Sequence, residues 1–116
     1  MSHPYHHARS SAKKYGGVPD DYIEIHAWFD ATKSTIADCR HRLLLHNAFG
    51  IFLCEQVFGV TFTRKSDGKE FPTRIIAEQH VLEDYGFIPS VDKVFETTTI
   101  APWMMKGAVQ LSKEND

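Results

Sequence analysis

Histidines and carboxylates at helical spacing are the residues of this sequence best suited to chemistry. His26 precedes Asp30 by four residues, and Asp38 precedes His41 by three. On a helix each pair would share one face, with Cβ atoms about 5–6 Å apart. Imidazole with carboxylate suits a divalent transition metal, here zinc, iron, manganese or nickel. The same spacing also fits a hydrogen-bonded pair that only fixes a ring, so we expect either a metal site or a structural network.

Further histidines extend this candidate metal site. His80 belongs to a later predicted helix, and several histidines stand at the N-terminus, where a mobile tail is the alternative interpretation. On a regular helix His46 points well away from His41, so one ion is not expected to bind both. The predicted metal ligands are His26, Asp30, His41 and His80, and the additional candidates are His6, His7 and His46.

Two carboxylates are candidates for a general base. Glu78 falls among apolar residues on the predicted helical wheel, so it must be paired, metal-bound or protonated. Glu78 or Asp38 would then activate a metal-bound water. A basic group with nearby hydroxyls could bind a phosphate, although a solvated positive face is the plainer interpretation. The predicted phosphate-binding residues are Arg9, Ser10, Lys14, Arg40 and Arg42.

Three functions fit these residues. The first is a metal-dependent hydrolase of a phosphate ester or nucleotide. The second is a non-catalytic protein that sequesters a small nucleotide-like ligand or occupies a host protein. In that case Trp28, Trp103, Met104 and Met105 would supply apolar contacts to the ligand or within a homo-oligomer. The third is a purely structural network. The sequence has no Cys-x-x-Cys, His-Glu-x-x-His, His-Asp or glycine-rich phosphate motif to decide among them.

Composition limits the class of protein. The 116 residues, 42% hydrophobic and 24% charged, suit a single globular domain over 1–116 with loose ends at 1–3 and 110–116. A net charge of −2 argues against general nucleic-acid or membrane binding. Cys39 and Cys54 would lie about 22 Å apart on one predicted helix, too far for a disulfide. Buried free thiols and the lack of an apolar leader indicate a cytoplasmic protein.

Start and stop signals divide the chain into helices and one hairpin. Gly16 and Gly86 are typical helix ends, and Pro72 suggests that the returning strand lies on an edge. Residues 43–58 are apolar nearly all round, which predicts a buried central helix with Gly50 where another helix crosses closely. The apolar side chains of Trp103 and its neighbours in the tail are expected to pack against the rest of the domain. The predicted helices span 4–15, 19–33, 34–58, 75–85 and 89–96, and the strands span 60–63 and 70–74. The expected fold is α+β, mainly α: a compact bundle of four to five helices with one small β-hairpin.

Segments along nearly the whole chain carry a family resemblance. They are His-Pro-Tyr-His-His-Ala at 3–8, Ser-Ser and Lys-Tyr-Gly-Gly within 10–17, Ile-His-Ala-Trp-Phe-Asp at 25–30, Ala-Asp-Cys-Arg-His-Arg at 37–42, His46, Gly50, Phe-Gly at 58–59, Ser-Asp-Gly at 66–68, the run at 78–90 and Pro-Trp-Met at 102–104. In this order they resemble a family of short proteins of unknown function from bacteria and tailed phages. The resemblance implies no substrate. It implies that the N-terminal histidines are native, that the polar residues share one site, and that a phage-encoded chain would act in the host cytoplasm.

Overall fold

Helices make up most of the structure, a computed structural model that describes residues 3–105. The α-helices are α1 (Pro4–Tyr15), α2 (Ile23–Asp30), α3 (Arg42–Leu45), α4 (Ala48–Phe58), α5 (Thr73–Tyr85) and α6 (Val91–Phe95), and the strands are β1 (Thr61–Thr63) and β2 (Glu70–Pro72). Short 3-10 turns occupy Pro19–Asp21, Ala31–Ser34 and Cys39–His41. The mainly helical α+β fold with one antiparallel hairpin is confirmed.

Helix α1 has the bounds that its sequence predicts. The side chain of His3 caps it by accepting a hydrogen bond from the Tyr5 amide at 3.1 Å. Lys13 and Lys14 in the last turn interact favourably with the negative end of the helix dipole. The helix ends at Gly16, whose φ is 91°. The predicted end of the fourth helix is also confirmed, because Gly86 follows α5 in the left-handed conformation.

The predicted helix over 19–33 is broken into three pieces. A 3-10 turn over Pro19–Asp21 precedes α2, and another over Ala31–Ser34 follows it. The Asp21 carboxylate accepts hydrogen bonds from the Val18 and Ser66 amides, which fixes the first break. Asp30 leaves the helical conformation with φ of −98° and ψ of 1°, which ends α2 at a buried carboxylate.

The predicted continuous helix over 34–58 is wrong. Asp38 caps a 3-10 turn, α3 is a single short turn, and the chain leaves the helical conformation at His46, where ψ is 59°. Asn47 then starts α4 by accepting a hydrogen bond from the Gly50 amide at 2.8 Å. Asparagine competes for backbone groups and favours a helix start over a helix interior. The apolar run therefore divides into two helices.

Gly50 allows this junction to close. The close approach of another helix is present here, but it is made by the end of α3, because the near neighbour is the backbone of Leu45 immediately before the break. A Cβ atom built on Gly50 would collide with the Leu45 carbonyl oxygen. Glycine at this position therefore serves the sharp turn between α3 and α4.

The hairpin lies where the sequence predicts it. Phe62 pairs with Phe71, and Thr61 pairs with Pro72 at the end of β2. Thr73 and Arg74 belong to α5, so the second strand is shorter than predicted. Arg64, only 7% exposed, donates a hydrogen bond of 2.8 Å to the Tyr15 carbonyl and fastens the hairpin to α1.

The apolar core is built mainly by α1, α2, α4 and α5. Its buried members are Ala8, Tyr22, Ile25, Phe29, Ile51, Cys54, Ile76, Ala77 and Val81. Cys54 is buried as expected, whereas Cys39 is exposed because it lies in the 3-10 turn. The expected docking of the tail is wrong within the described residues, since Trp103 is 72% exposed. Of the expected loose ends at 1–3 and 110–116, only His3 lies within the described residues, and it caps α1.

Replacement of Gly50 by alanine tests the junction. Alanine normally stabilises a helix interior over glycine by about 1 kcal/mol. Here the collision with Leu45 should reverse the sign and lower the free energy of unfolding by about 1–3 kcal/mol. Urea denaturation measures this, with Gln56→Ala on the exposed face of α4 as the control. A stabilised Gly50→Ala variant would contradict the packing described.

Candidate metal centre

Four buried side chains bring one ligand atom each to a common point. They are Asp30, His46, His80 and Asp84, hereafter the tetrad. The Nε2 atoms of His46 and His80 lie 3.1 Å apart, and Oδ2 of Asp84 lies 2.9 Å from the first and 3.3 Å from the second. Oδ1 of Asp30 lies 3.5 Å from His80 Nε2 and 3.8 Å from His46 Nε2. All four side chains are at most 5% exposed.

These separations match the edges of a metal coordination tetrahedron. With metal–ligand bonds of about 2.0–2.1 Å, neighbouring ligand atoms of a tetrahedral zinc site lie about 3.3 Å apart. Five of the six separations, 2.9–3.8 Å, bracket that value, and all four atoms lie within 4.8 Å of one another. A single ion could therefore enter the tetrad without movement of the backbone.

Three separate parts of the fold supply the tetrad. His80 and Asp84 are one turn apart on α5 and therefore share a face. Asp30 is the last residue of α2, and His46 occupies the break between α3 and α4. Two of the interruptions that the sequence did not predict, at Asp30 and at His46, therefore place two of the four candidate ligands.

The charges in the tetrad favour a bound cation. Burial raises the pKa of Asp84, but its contacts with the surrounding histidines outweigh this and hold the pKa far below its usual range. Burial also raises the pKa of Asp30, which the nearby His80 ring and Lys33 lower overall. Burial lowers the pKa of His46, so this ring is neutral at pH 7. Within residues 3–105, neither oxygen of Asp30 has a hydrogen-bond partner, which leaves ionised carboxylate for a cation to neutralise.

His80 also belongs to a second group, formed with His7 and His26 and called here the histidine trio. Nδ1 of His26 lies 2.9 Å from Nδ1 of His80, and the rings of His7 and His80 have centroids 4.2 Å apart. Burial, together with the neighbouring His80 and His7, lowers the pKa of His26 to about 2. Burial lowers the pKa of His7, but the carboxylates of Asp84 and Glu83 outweigh this and raise it.

Outer contacts hold the trio in position. Ser11 on α1 is fully buried, and its hydroxyl oxygen lies 2.8 Å from His26 Nε2. The same hydroxyl donates a hydrogen bond to Gln79 Oε1 at 2.5 Å. Glu83 Oε1 lies 2.7 Å from His7 Nδ1. Such partners on the far ring nitrogen fix the orientation of metal-binding histidines in proteins.

The structure brings together most of the predicted ligands. His26, Asp30 and His80 lie in these two groups together with His7 and His46, which were predicted only as additional candidates. His41 is buried beside the tetrad, with its ring edge-on to His46 at 5.8 Å, but it belongs to neither ligand group among residues 3–105. His6 is exposed.

The two predicted general bases lie away from both groups. Asp38 is 53% exposed and pairs with Arg40 at 2.8 Å. Glu78 is 40% exposed, on the face of α5 that carries Arg74, 3.8 Å away. Their expected role beside a metal-bound water is wrong, because the exposed Asp38 caps the 3-10 turn over Cys39–His41 and because the Glu78 side chain faces outward.

The predicted phosphate-binding residues do not form one patch. Ser10 and Lys14 both donate to Glu83 Oε2, at 2.6 and 3.3 Å. Arg42 lies inward, 3.7 Å from Asp84 Oδ1, while Arg40 is engaged with Asp38. Arg9 is simply exposed. The basic residues therefore compensate nearby carboxylates instead of facing a common ligand.

Asp84 is the ligand that the sequence prediction missed. Its spacing of four residues from His80 was the available signal, and Glu83, three residues from His80, gave a similar one. Only the packing of α5 shows that Asp84 faces inward, with a side chain 2% exposed, while Glu83 is 24% exposed.

The fold and the site define a mainly helical domain with a buried histidine–carboxylate cluster. The chain belongs to the DUF6915 family, described as a domain of unknown function, whose profile matches residues 2–104. The resemblance to a family of unknown function is thereby confirmed. No curated protein and no solved structure shows a significant match. Within residues 3–105, every helix is too short or too polar to cross a membrane.

The buried state of His26 predicts a pH dependence of stability in metal-free protein. Unfolded His26 takes up a proton below pH 6.5, whereas the folded residue does so only near its pKa of about 2. Its neutral burial therefore stabilises the fold fully above pH 6.5 and progressively less as the pH falls. Between pH 7.5 and 5.5 the wild type should lose about 1.4 kcal/mol more than His26→Gln.

Urea denaturation in the presence of a chelator measures this difference at each pH. His6→Gln changes an exposed histidine that precedes His7 in the sequence. Its free energy of unfolding should depend on pH as that of the wild type does. If the free energy of unfolding falls equally with pH in the wild type and in His26→Gln, His26 is not held neutral in the folded protein.

Proposed function

We propose that this chain is a metal-binding protein that holds one divalent transition-metal ion in the tetrad. The observation that carries the proposal is the convergence of four buried ligand atoms within 4.8 Å of one another, with the histidine nitrogens 2.9–3.8 Å from each other and from the carboxylate oxygens. A local hydrogen-bond network would not require two ionised carboxylates and two imidazole nitrogens to face one point. A divalent cation satisfies all four atoms and cancels the charge of Asp30 and Asp84.

The ligand set favours zinc. Imidazole and carboxylate suit zinc, iron, manganese and nickel alike, so ligand type alone leaves these ions open. The number and spacing of ligands fit four-coordinate tetrahedral geometry, which zinc readily adopts. Manganese is better served by larger, oxygen-rich sets, so we expect Zn²⁺ to bind most stably.

The ion in the tetrad would have a structural role, in which it stabilises the fold. Sites with four protein ligands and no open position are typical of structural zinc. Here the ion would join α2, the α3–α4 junction and α5. Hydrolysis of a phosphate ester or nucleotide would need an open coordination position and a nearby base, and Asp38 and Glu78 lie at the surface.

Metal retention by purified, untagged protein tests this proposal. After loading with Zn²⁺ and gel filtration, the wild type should retain zinc, and His46→Gln and Asp30→Asn should each retain about one equivalent less. The wild type should also unfold at a higher temperature with Zn²⁺ than with a chelator, since a ligand that binds only the folded state stabilises it.

His6→Gln is the matched control, because it removes an exposed histidine that lies outside the tetrad. It should retain as much zinc as the wild type. Wild-type protein that retains no zinc and shows no thermal stabilisation by zinc, iron, manganese or nickel would reject the proposal.

A second candidate function is non-catalytic binding of an apolar small molecule. It is supported by a surface groove of about 400 Å³ between the α3–α4 junction and α6. Its walls include Leu43, Leu44, Phe49 and Phe95, which are 43–58% exposed. This volume falls within the range of small-molecule sites, and the apolar walls favour a hydrocarbon or aromatic ligand over a nucleotide.

Fluorescence of anilinonaphthalene sulfonate tests the groove. The dye should bind the wild type, and Phe95→Asp should weaken binding about tenfold because a charge replaces apolar contact. Phe87→Asp, at an equally exposed phenylalanine outside the groove, is the control. Equal dye affinity in both variants would argue against a ligand site there.

A further inference from the structure

We infer that the histidine trio is a second metal site, and that His80 bridges its ion to the ion of the tetrad. His80 would bind one ion through Nε2 and the other through Nδ1. The inference rests on the proposed function, because the first ion is the one assigned to the tetrad. It adds a second ion, with histidine ligands alone, that the tetrad does not require.

The hydrogen bonds around Ser11 fix which nitrogen of His26 carries the proton. The side-chain amide of Gln79 donates to the His7 carbonyl at 3.1 Å and to Glu83 at 3.0 Å, so its oxygen faces Ser11. Ser11 donates its only hydroxyl proton to that oxygen at 2.5 Å. Ser11 therefore accepts from His26 Nε2 at 2.8 Å. Nδ1 of His26 is left with a free lone pair, and it faces His80.

His7 presents a nitrogen to the same region. Its Nδ1 lies 2.7 Å from the Glu83 carboxylate, an acceptor that holds the proton on Nδ1. Its Nε2 is buried and lies 3.2 Å from Asp84 Oδ1. Burial lowers the pKa of His7, but the two carboxylates raise it overall and so favour a proton on Nε2 when no metal is bound. A metal ion shared with His26 and His80 would displace that proton into solvent and take its place beside Asp84.

His80 supplies the third nitrogen and the link between the two ions. Its Nδ1 is 2.9 Å from His26 Nδ1, a separation that two ligands of one ion can have. Binding of the second ion displaces the proton shared by these two nitrogens into solvent. His80 then becomes an imidazolate, with one nitrogen on each ion.

The trio differs from the tetrad in the number of its ligands. Three histidines bind zinc in sites that keep a fourth position for water or another small ligand. Glu83, 24% exposed, contacts His7 of the trio and is itself contacted by Ser10 and Lys14, so the trio is linked to the surface on this side. A hydroxide or small anion is the class of fourth ligand that this second site would take.

A single ion offers a competing account of the same contacts. In that account His80 binds the ion of the tetrad through Nε2 and donates its Nδ1 proton to His26 as an outer-shell bond. The two accounts differ in the number of ions bound and in the effect of removing His26.

Zinc stoichiometry separates them. Metal-free, full-length protein is loaded with Zn²⁺, passed through gel filtration and measured by elemental analysis. Two equivalents are expected in the wild type and in His6→Gln, and one each in His26→Gln and His46→Gln. One equivalent in both wild type and His26→Gln, with none in His46→Gln, overturns the second site and leaves the proposed function standing.

Other outcomes are equally decisive. Two equivalents in His26→Gln, or one in His6→Gln, would place the second ion on the exposed N-terminal histidines and overturn the inference. No zinc in the wild type overturns both the inference and the proposed function. Circular dichroism of each variant shows whether it folds.

Electron paramagnetic resonance of the wild type gives a test that needs no folded variant. With two Cu²⁺ bound, an imidazolate bridge couples the two spins, so the signal should fall well below that expected for two separate ions. Full signal intensity at two bound copper ions would overturn the bridge. In His26→Gln, if folded, the single bound ion should show an uncoupled signal.

Discussion

Two carboxylates buried among imidazole rings are the constraint on which the rest of this structure depends. Asp30 and Asp84 are ionised and nearly inaccessible to solvent, and buried charges are strongly unfavourable unless they are paired. The nearest charged groups are not close: Lys33 lies 3.9 Å from Asp30, and Arg42 lies 3.7 Å from Asp84. The histidines around them complete a set of ligands for a cation. The chain is folded so that these groups meet, even where this interrupts helices.

The apolar core is arranged around this polar centre. Phe29 stacks on His80 with ring centroids 4.9 Å apart and planes at 16°, and it meets His46 edge-on at 5.6 Å. Aromatic packing thus holds the faces of the rings while Ser11 and Glu83 hold the outer nitrogens of the trio. Rings restrained in both ways can turn little. This restraint is what a preorganised metal site requires, because ligand atoms must stay within a few tenths of an ångström of their positions.

The α3–α4 junction links the centre to the surface. His46 points inward to the tetrad, and the next residue, Asn47, caps α4 and lines the apolar groove. The Ala48 amide donates to the Pro89 carbonyl at 2.9 Å, which ties the junction to the segment that leads into α6. The tetrad and the groove are therefore anchored to the same short break in the helix.

The sequence by itself determined the elements with strong local signals. Helix α1, the hairpin, the end of α5 at Gly86 and the pairing of histidine with carboxylate all follow from spacing, caps and turns. Local signals also sufficed to choose His26, Asp30 and His80 as candidate ligands, because helical spacing needs no knowledge of neighbours.

Only the tertiary structure decided which carboxylates and histidines share the site. The inward direction of Asp84 and the outward direction of Glu78 depend on how α5 rotates against α2 and α4, and helical spacing is the same in either case. The break at His46 and Asn47 lies within an apolar run that reads locally as one helix. It forms because the cap of Asn47 and the buried contacts of His46 together outweigh the helical hydrogen bonds lost. That balance depends on residues distant in the sequence, and no local pattern contains it.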